Sequence, residues 1–87
     1  MATVIVYSAS YCPYCVRAKD LLARKGVAYQ EIRVDEEPEI REEMVRKSGR
    51  MTVPQIFIND KPIGGFDDLY ALEQKGQLNQ LLTEEDK

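Results

Sequence analysis

The chain has 87 residues, 44% of them hydrophobic, with 12 basic and 15 acidic side chains, a net charge of −3 and a pI near 4.9. This is one small domain with enough apolar material for a modest core, and its acidic balance argues against a nucleic-acid surface. No apolar run approaches the ~20 residues of a membrane span. The start, Met1-Ala2-Thr3, leads directly into an apolar run, so neither a signal nor a transit segment is expected, and a reducing, cytoplasmic setting follows.

Thr3 to Ser8 is β-branched and apolar at both alternating faces, which predicts a central strand buried on two sides. A small, polar loop from Ser8 to Tyr11 leads to Cys12-Pro13-Tyr14-Cys15, which holds the only two cysteines of the chain. A helix is predicted from Pro13 to Lys25. Cys15, Ala18, Leu21 and Leu22 form its apolar stripe, and Gly26 stops it. Val27 to Val34 reads as a second strand, with Ala28, Gln30, Ile32 and Val34 on one face. Strand, helix and strand at these lengths make a βαβ unit with parallel strands.

Asp35-Glu36-Glu37-Pro38 has the composition of a helix start, and that helix is expected to reach Lys47 with Ile40 and Met44 on its inner face. Thr52-Val53-Pro54 precedes a third strand over Gln55 to Ile58, and Asn59-Asp60 is a two-residue turn signal. The fourth strand, Lys61 to Gly64, contains Pro62, which cannot donate to a ladder and so belongs at a sheet edge. After Gly64-Gly65 the last helix is predicted from Asp67 to Lys75, ended by Gly76. Leu78, Leu81 and Leu82 cover the core, and Thr83 to Lys87 form a frayed tail. The resulting class is α/β: one four-stranded mixed sheet with three helices on its two faces.

The cysteine pair carries the chemistry. Two residues at i and i+3 of a helix start are neighbours on one face, with Cα atoms roughly 5–6 Å apart, within disulfide range. Cys12 falls at the helix N-terminus, where free N–H groups and the helix dipole favour a negative sulfur, the nucleophilic form. Pro13 suits the first turn, where its missing N–H has no helical partner. A C-x-x-C pair is also half of a zinc site, but the chain has no histidine and no further cysteine to complete one. As an inert structural bridge it would close too short a loop to stabilise much. Redox chemistry is the favoured reading.

Cys12-Pro13-Tyr14-Cys15, Thr52-Val53-Pro54 and Gly64-Gly65-x-Asp67-Asp68, with Ser48-Gly49-Arg50 before the second, resemble the signatures of the dithiol glutaredoxins of the bacterial glutaredoxin 3 type, and the similarity spans nearly the whole chain. The resemblance implies a thioredoxin fold with sheet order 2-1-3-4, a cis bond before Pro54, and glutathione as co-substrate with no tightly bound cofactor or metal. It makes Cys12 the nucleophile and Cys15 the resolving thiol. It implies a glutathione site of Tyr14, Arg41, Thr52, Val53, Pro54, Asp67 and Asp68. In that site the free backbone edge of Val53 pairs with the cysteinyl unit, the last helix's N-terminus and an Asp carboxylate take the γ-glutamyl end, and Arg41 lies near the glycine carboxylate. Two positions depart from the pattern. Many relatives carry lysine where this chain has Ala9, expected on an exposed loop, and several carry cysteine where it has Phe66.

The implied enzyme is a monomeric glutathione-disulfide oxidoreductase that reduces protein–glutathione mixed disulfides and protein disulfides, with no membrane or nucleic-acid partner. The alternatives are a glutaredoxin-like redoxin fed by thioredoxin reductase and an iron–sulfur carrier. Tyr14 and the Asp67-Asp68 pair argue against the first, and Pro13 argues against the second.

Overall fold

The computed structural model describes residues 2–10 and 12–83. Met1, Tyr11 and residues 84–87, which include one end of the expected loop and most of the expected tail, lie outside the described residues. The order is β1 (Val4–Ser8), α1 (Pro13–Arg24), β2 (Gln30–Arg33), α2 (Pro38–Ser48), β3 (Gln55–Ile58), β4 (Lys61–Gly64), α3 (Phe66–Gln74) and α4 (Leu78–Thr83). The four strands form one sheet in the order β2-β1-β3-β4. β1 runs parallel to β2, with Ile5 opposite Gln30 and Ser8 opposite Arg33. It runs antiparallel to β3, with Val4 opposite Ile58 and Val6 opposite Ile56. This is the thioredoxin arrangement of the sheet, with the βαβ unit on one side and a hairpin on the other.

The alternation of β1 and β3 divides the core in two. Val4, Val6, Ile56 and Ile58 face α1, α3 and α4 through Ala18, Leu21, Leu22, Leu69 and Leu78. Tyr7 and Phe57 face the other way, against Met44 of α2 and Val34. Their rings meet edge-on at 5.6 Å between centroids. Fully burying a Leu or Ile side chain stabilises by roughly 1.5–3 kcal/mol, so each layer holds its helices without a cross-link.

β3 and β4 have the predicted bounds. Asn59 and Asp60 between them have φ of 52° and 67°, the pair of positive angles that a type I′ turn requires. Asn59 also latches the hairpin to the start of β1, its Oδ1 accepting from Thr3 N–H at 2.9 Å. Pro62 is on the edge strand. β2 is shorter than the predicted Val27 to Val34, because Val27 N–H is used by Leu22 C=O at 3.0 Å to close α1.

Among the described residues the helices number four rather than three. The segment expected only to cover the core forms α4, seeded by Leu81 N–H to Gln77 C=O at 3.2 Å. Leu78, Leu81 and Leu82 stand at i, i+3 and i+4, and a segment lying on a core must satisfy its own backbone groups, which a helical turn does.

Candidate active site

Cys12 is the N-cap of α1, with extended backbone at φ −102° and ψ 109°, and Pro13 opens the helix. Its Sγ accepts from Cys15 N–H at 3.1 Å, so one of the unpaired N–H groups of the first turn is aimed at the sulfur. Val53 C=O lies 3.6 Å from the same sulfur, within reach of the thiol proton. Cys12 is half-buried, whereas Cys15 is buried with Ala18, Leu21 and Leu22 on the inner face of α1, and both are free thiols. Burial pushes the Cys15 thiol up to about 12, and the neighbouring Cys12 sulfur pushes in the same direction. The two thiols are thus unequal: one faces outward at a helix N-terminus, and the other is held protonated behind it.

The remaining sequence-predicted residues surround Cys12 in two adjoining depressions that share Thr52 and Val53. One, of about 200 Å³, is walled by Tyr14, Arg50, Pro54, Gly65, Phe66, Asp67 and Asp68. The other, of about 400 Å³, holds Cys12 itself with Ala9, Asp35, Arg41 and Met51. Every predicted site residue except buried Cys15 therefore lines one or the other of these two depressions. The Val53-Pro54 bond is cis and Pro54 is buried. Tyr14 is 51% exposed, with Arg17 over its ring at 5.2 Å and the Phe66 ring tilted against it at 6.3 Å between centroids.

The two aspartates at the start of α3 differ. Asp68 folds back to accept from Gly65 N–H at 3.0 Å and pairs with Arg50 Nη1 at 2.9 Å. Arg50, and then the Gly65 N–H, hold its carboxyl below the usual range. Asp67 is exposed at the mouth of the groove. Arg41 reaches across to Met51 C=O at 2.9 Å, which fixes its guanidinium at the far end.

Three features were not anticipated. Arg50 is a wall of the site rather than a mere neighbour of the Thr52-Val53-Pro54 signature. Asp35 anchors the loop ahead of Cys12: its Oδ2 accepts from Ser10 Oγ at 2.8 Å and from Ser10 N–H at 3.3 Å, and Arg33 clamps it with two bonds of 3.0 Å. Arg33, and then Ser10, hold the Asp35 carboxyl well below the usual range. Third, Ala9 is not on an exposed loop. It is 8% exposed, directly after the buried end of β1. Among the described residues no three His, Cys, Asp or Glu side chains converge as metal ligands, and no helix is long and apolar enough to cross a membrane.

Comparison with known proteins places this geometry. The family model described as Glutaredoxin matches residues 4–63. Glutaredoxin 3 of Escherichia coli strain K12 is 56% identical over 82 residues, covering 94% of this chain and 99% of that protein. A glutaredoxin of Pseudomonas aeruginosa is 54% identical over 83 residues, covering 95% and 99%. Among solved structures, the buckwheat glutaredoxin–glutathione complex superposes with a TM-score of 0.88 at 36% identity, over 94% of this chain and 77% of that one.

Proposed function

We propose how this chain, which belongs to the glutaredoxin family and is a thiol–disulfide oxidoreductase, divides its reaction among its residues. The observation that carries the proposal is the asymmetry of the pair: Cys12 is accessible and receives an N–H bond from the helix start, while Cys15 is buried one turn inward. Cys12 thiolate attacks the glutathione sulfur of a protein–glutathione mixed disulfide. The protein thiolate leaves and takes up a proton, and Cys12 now carries glutathione. A second glutathione thiolate attacks that sulfur, releases oxidised glutathione and restores Cys12. With a protein disulfide, Cys12 first forms a mixed disulfide with the protein. Cys15 then attacks Cys12 Sγ, the protein thiolate leaves, and two glutathiones reduce the Cys12–Cys15 bond.

The groove fits the tripeptide in one direction. Val53 offers its backbone edge to the cysteinyl unit beside Cys12, with Thr52 and Pro54 flanking it and Tyr14 as a side wall. The γ-glutamyl carboxylate meets the N–H groups at the start of α3, and its ammonium meets Asp67, since the Asp68 carboxylate is already held by Arg50 and Gly65. The glycine carboxylate points toward Arg41. The partners are glutathionylated and disulfide-bonded proteins met by a monomer in the reducing cytoplasm.

The test is turnover of a glutathionylated peptide and of a protein disulfide, each coupled through glutathione reductase to NADPH oxidation. Cys12→Ser should abolish both reactions. Cys15→Ser should retain the first and lose the two-thiol route of the second. A Cys12→Ser protein as active as the parent on the glutathionylated peptide would overturn the assignment.

A further inference from the structure

Gln55 opens β3 opposite Tyr7 of β1, and strand alternation puts it with Phe57 on the sheet face that packs against α2. It is 1% exposed, an amide buried on an otherwise apolar face, where an amide without partners would be costly. Its Nε2 donates to Thr52 C=O at 3.0 Å and lies 3.3 Å from Thr52 Oγ1. Thr52 and Val53 are the two residues that line both depressions of the site. The Thr52 carbonyl shares one rigid plane with Val53 N–H, and that peptide is trans, so the two groups point in opposite directions. Drawing the carbonyl toward the buried amide therefore turns Val53 N–H away from the core. We propose that Gln55 is a positioning residue for glutathione binding: from inside the core it fixes the Thr52–Val53 peptide plane and so aims Val53 N–H at the carbonyl of the substrate's cysteinyl unit.

The inference rests on Val53 pairing with the cysteinyl unit and adds what holds that edge in register. The Val53 side chain packs against the cluster of Tyr7, Val34, Met44 and Phe57, which fixes where the residue sits but not how its peptide plane is turned. Thr52 is exposed and precedes β3, so sheet pairing does not set that plane either. The bond from Gln55 does, because a carbonyl oxygen held from the core side leaves the plane one orientation. Val53 C=O, 3.6 Å from Cys12 Sγ, belongs to the next peptide unit. Loss of the Gln55 bond should therefore weaken capture of the tripeptide and leave the Cys12 thiol as reactive as before.

The experiment follows single-turnover transfer onto Cys12 in the Cys15→Ser background, where the mixed disulfide persists. Two disulfides are compared: oxidised glutathione, which carries a peptide backbone, and cystamine, which carries none. In each case Cys12 thiolate bonds to one half and the other half leaves as thiolate. Gln55→Met keeps the length of the side chain without its donor. It should slow transfer from oxidised glutathione by about two- to tenfold, the weight of one neutral hydrogen bond, and leave transfer from cystamine unchanged. Gln55→Leu should do the same, so either variant suffices if the other fails to fold. An unchanged rate with oxidised glutathione, or equal slowing with both disulfides, would overturn the proposal. In the parent protein, NMR should show the Gln55 side-chain amide protons exchanging with solvent more slowly than those of exposed Gln77, and equal exchange would overturn it without any variant. A parent protein with no preference for oxidised glutathione over cystamine would overturn the pairing of Val53 with the tripeptide itself, a result distinct from the others.

Discussion

Gly64→Ala is the substitution whose cost can be worked most completely. Gly64 ends β4 with φ +116°, a conformation that L side chains rarely adopt. An ideal Cβ there would lie 2.4 Å from Asp68 Oδ2 and 2.7 Å from its Cγ, so the carboxylate must move. The backbone strain costs about 1–3 kcal/mol. Displacing Asp68 also breaks its bond to Gly65 N–H at the start of α3, a capping interaction of about 0.5–2 kcal/mol. The ion pair to Arg50 adds little, since both side chains are more than 40% exposed. The sum is about 1.5–5 kcal/mol. At ~4–8 °C per kcal/mol for a domain of this size, Tm should fall by about 6–40 °C. Gly76→Ala is the control. Gly76 has φ +73° and no heavy atom within 4 Å of the added Cβ, so only backbone strain of about 1 kcal/mol applies. Thermal unfolding followed by circular dichroism compares the two, and KM for a glutathionylated peptide reports the groove, which should weaken in Gly64→Ala alone. Equal Tm losses in the two variants would refute the account of Asp68 as a fixed cap that the missing side chain at Gly64 makes room for.

Two further outcomes follow from the charges around the site. Glu31 has a depressed folded-state pKa, so the stability it contributes is present above its unfolded value near 4.3 and is lost as pH falls through the lower folded one; Glu31→Gln should therefore flatten the fall in Tm between about pH 6 and pH 2, and parallel curves for the two proteins would rule this out. Ala9→Lys brings an ammonium into the depression that holds Cys12, Asp35 and Arg41, and should lower KM for a glutathionylated peptide by up to several-fold at low ionic strength, a gain of about 1 kcal/mol or less that added salt erodes; an unchanged KM at low salt would mean the glycine carboxylate does not lie there.

What the sequence made legible was what depends on local pattern. β3 and β4 were readable to the residue because Gln55 to Ile58 is bounded by Pro54 and by the turn pair Asn59-Asp60. The stripe Cys15, Ala18, Leu21, Leu22 was readable because helical period alone decides which face is buried. The sequence reading puts α3 at Asp67 to Lys75, whereas the helix runs Phe66–Gln74, and the packing of Phe66 against Tyr14 and Tyr70 is tertiary. The tethers could not be read. Asp68 meets Arg50 across 18 residues, and Asp35 meets Ser10 across 25, and no spacing rule links such partners before the sheet order is set. The cis bond before Pro54 was legible only through family resemblance, and the proposed ligand-binding roles rest on that resemblance too, because propensity gives neither.

The difference between the two thiols reduces to where α1 begins. Cys12 is the last residue with extended backbone, so its sulfur stays outside the helix and receives the N–H of Cys15. Cys15 is already the third helical residue, and helical periodicity then puts it in line with Ala18 and Leu22 on the buried face. Pro13 holds that boundary in place, because it fits the first turn and disfavours helical backbone at Cys12 before it. Two intervening residues are what the geometry asks for. With one fewer, the second sulfur would rotate about 100° away from the core face, and with one more it would sit another ~1.5 Å along the axis and off the Cys12 side. The same boundary therefore exposes one thiol for attack on the substrate disulfide and withholds the other until the first has been made neutral by bond formation.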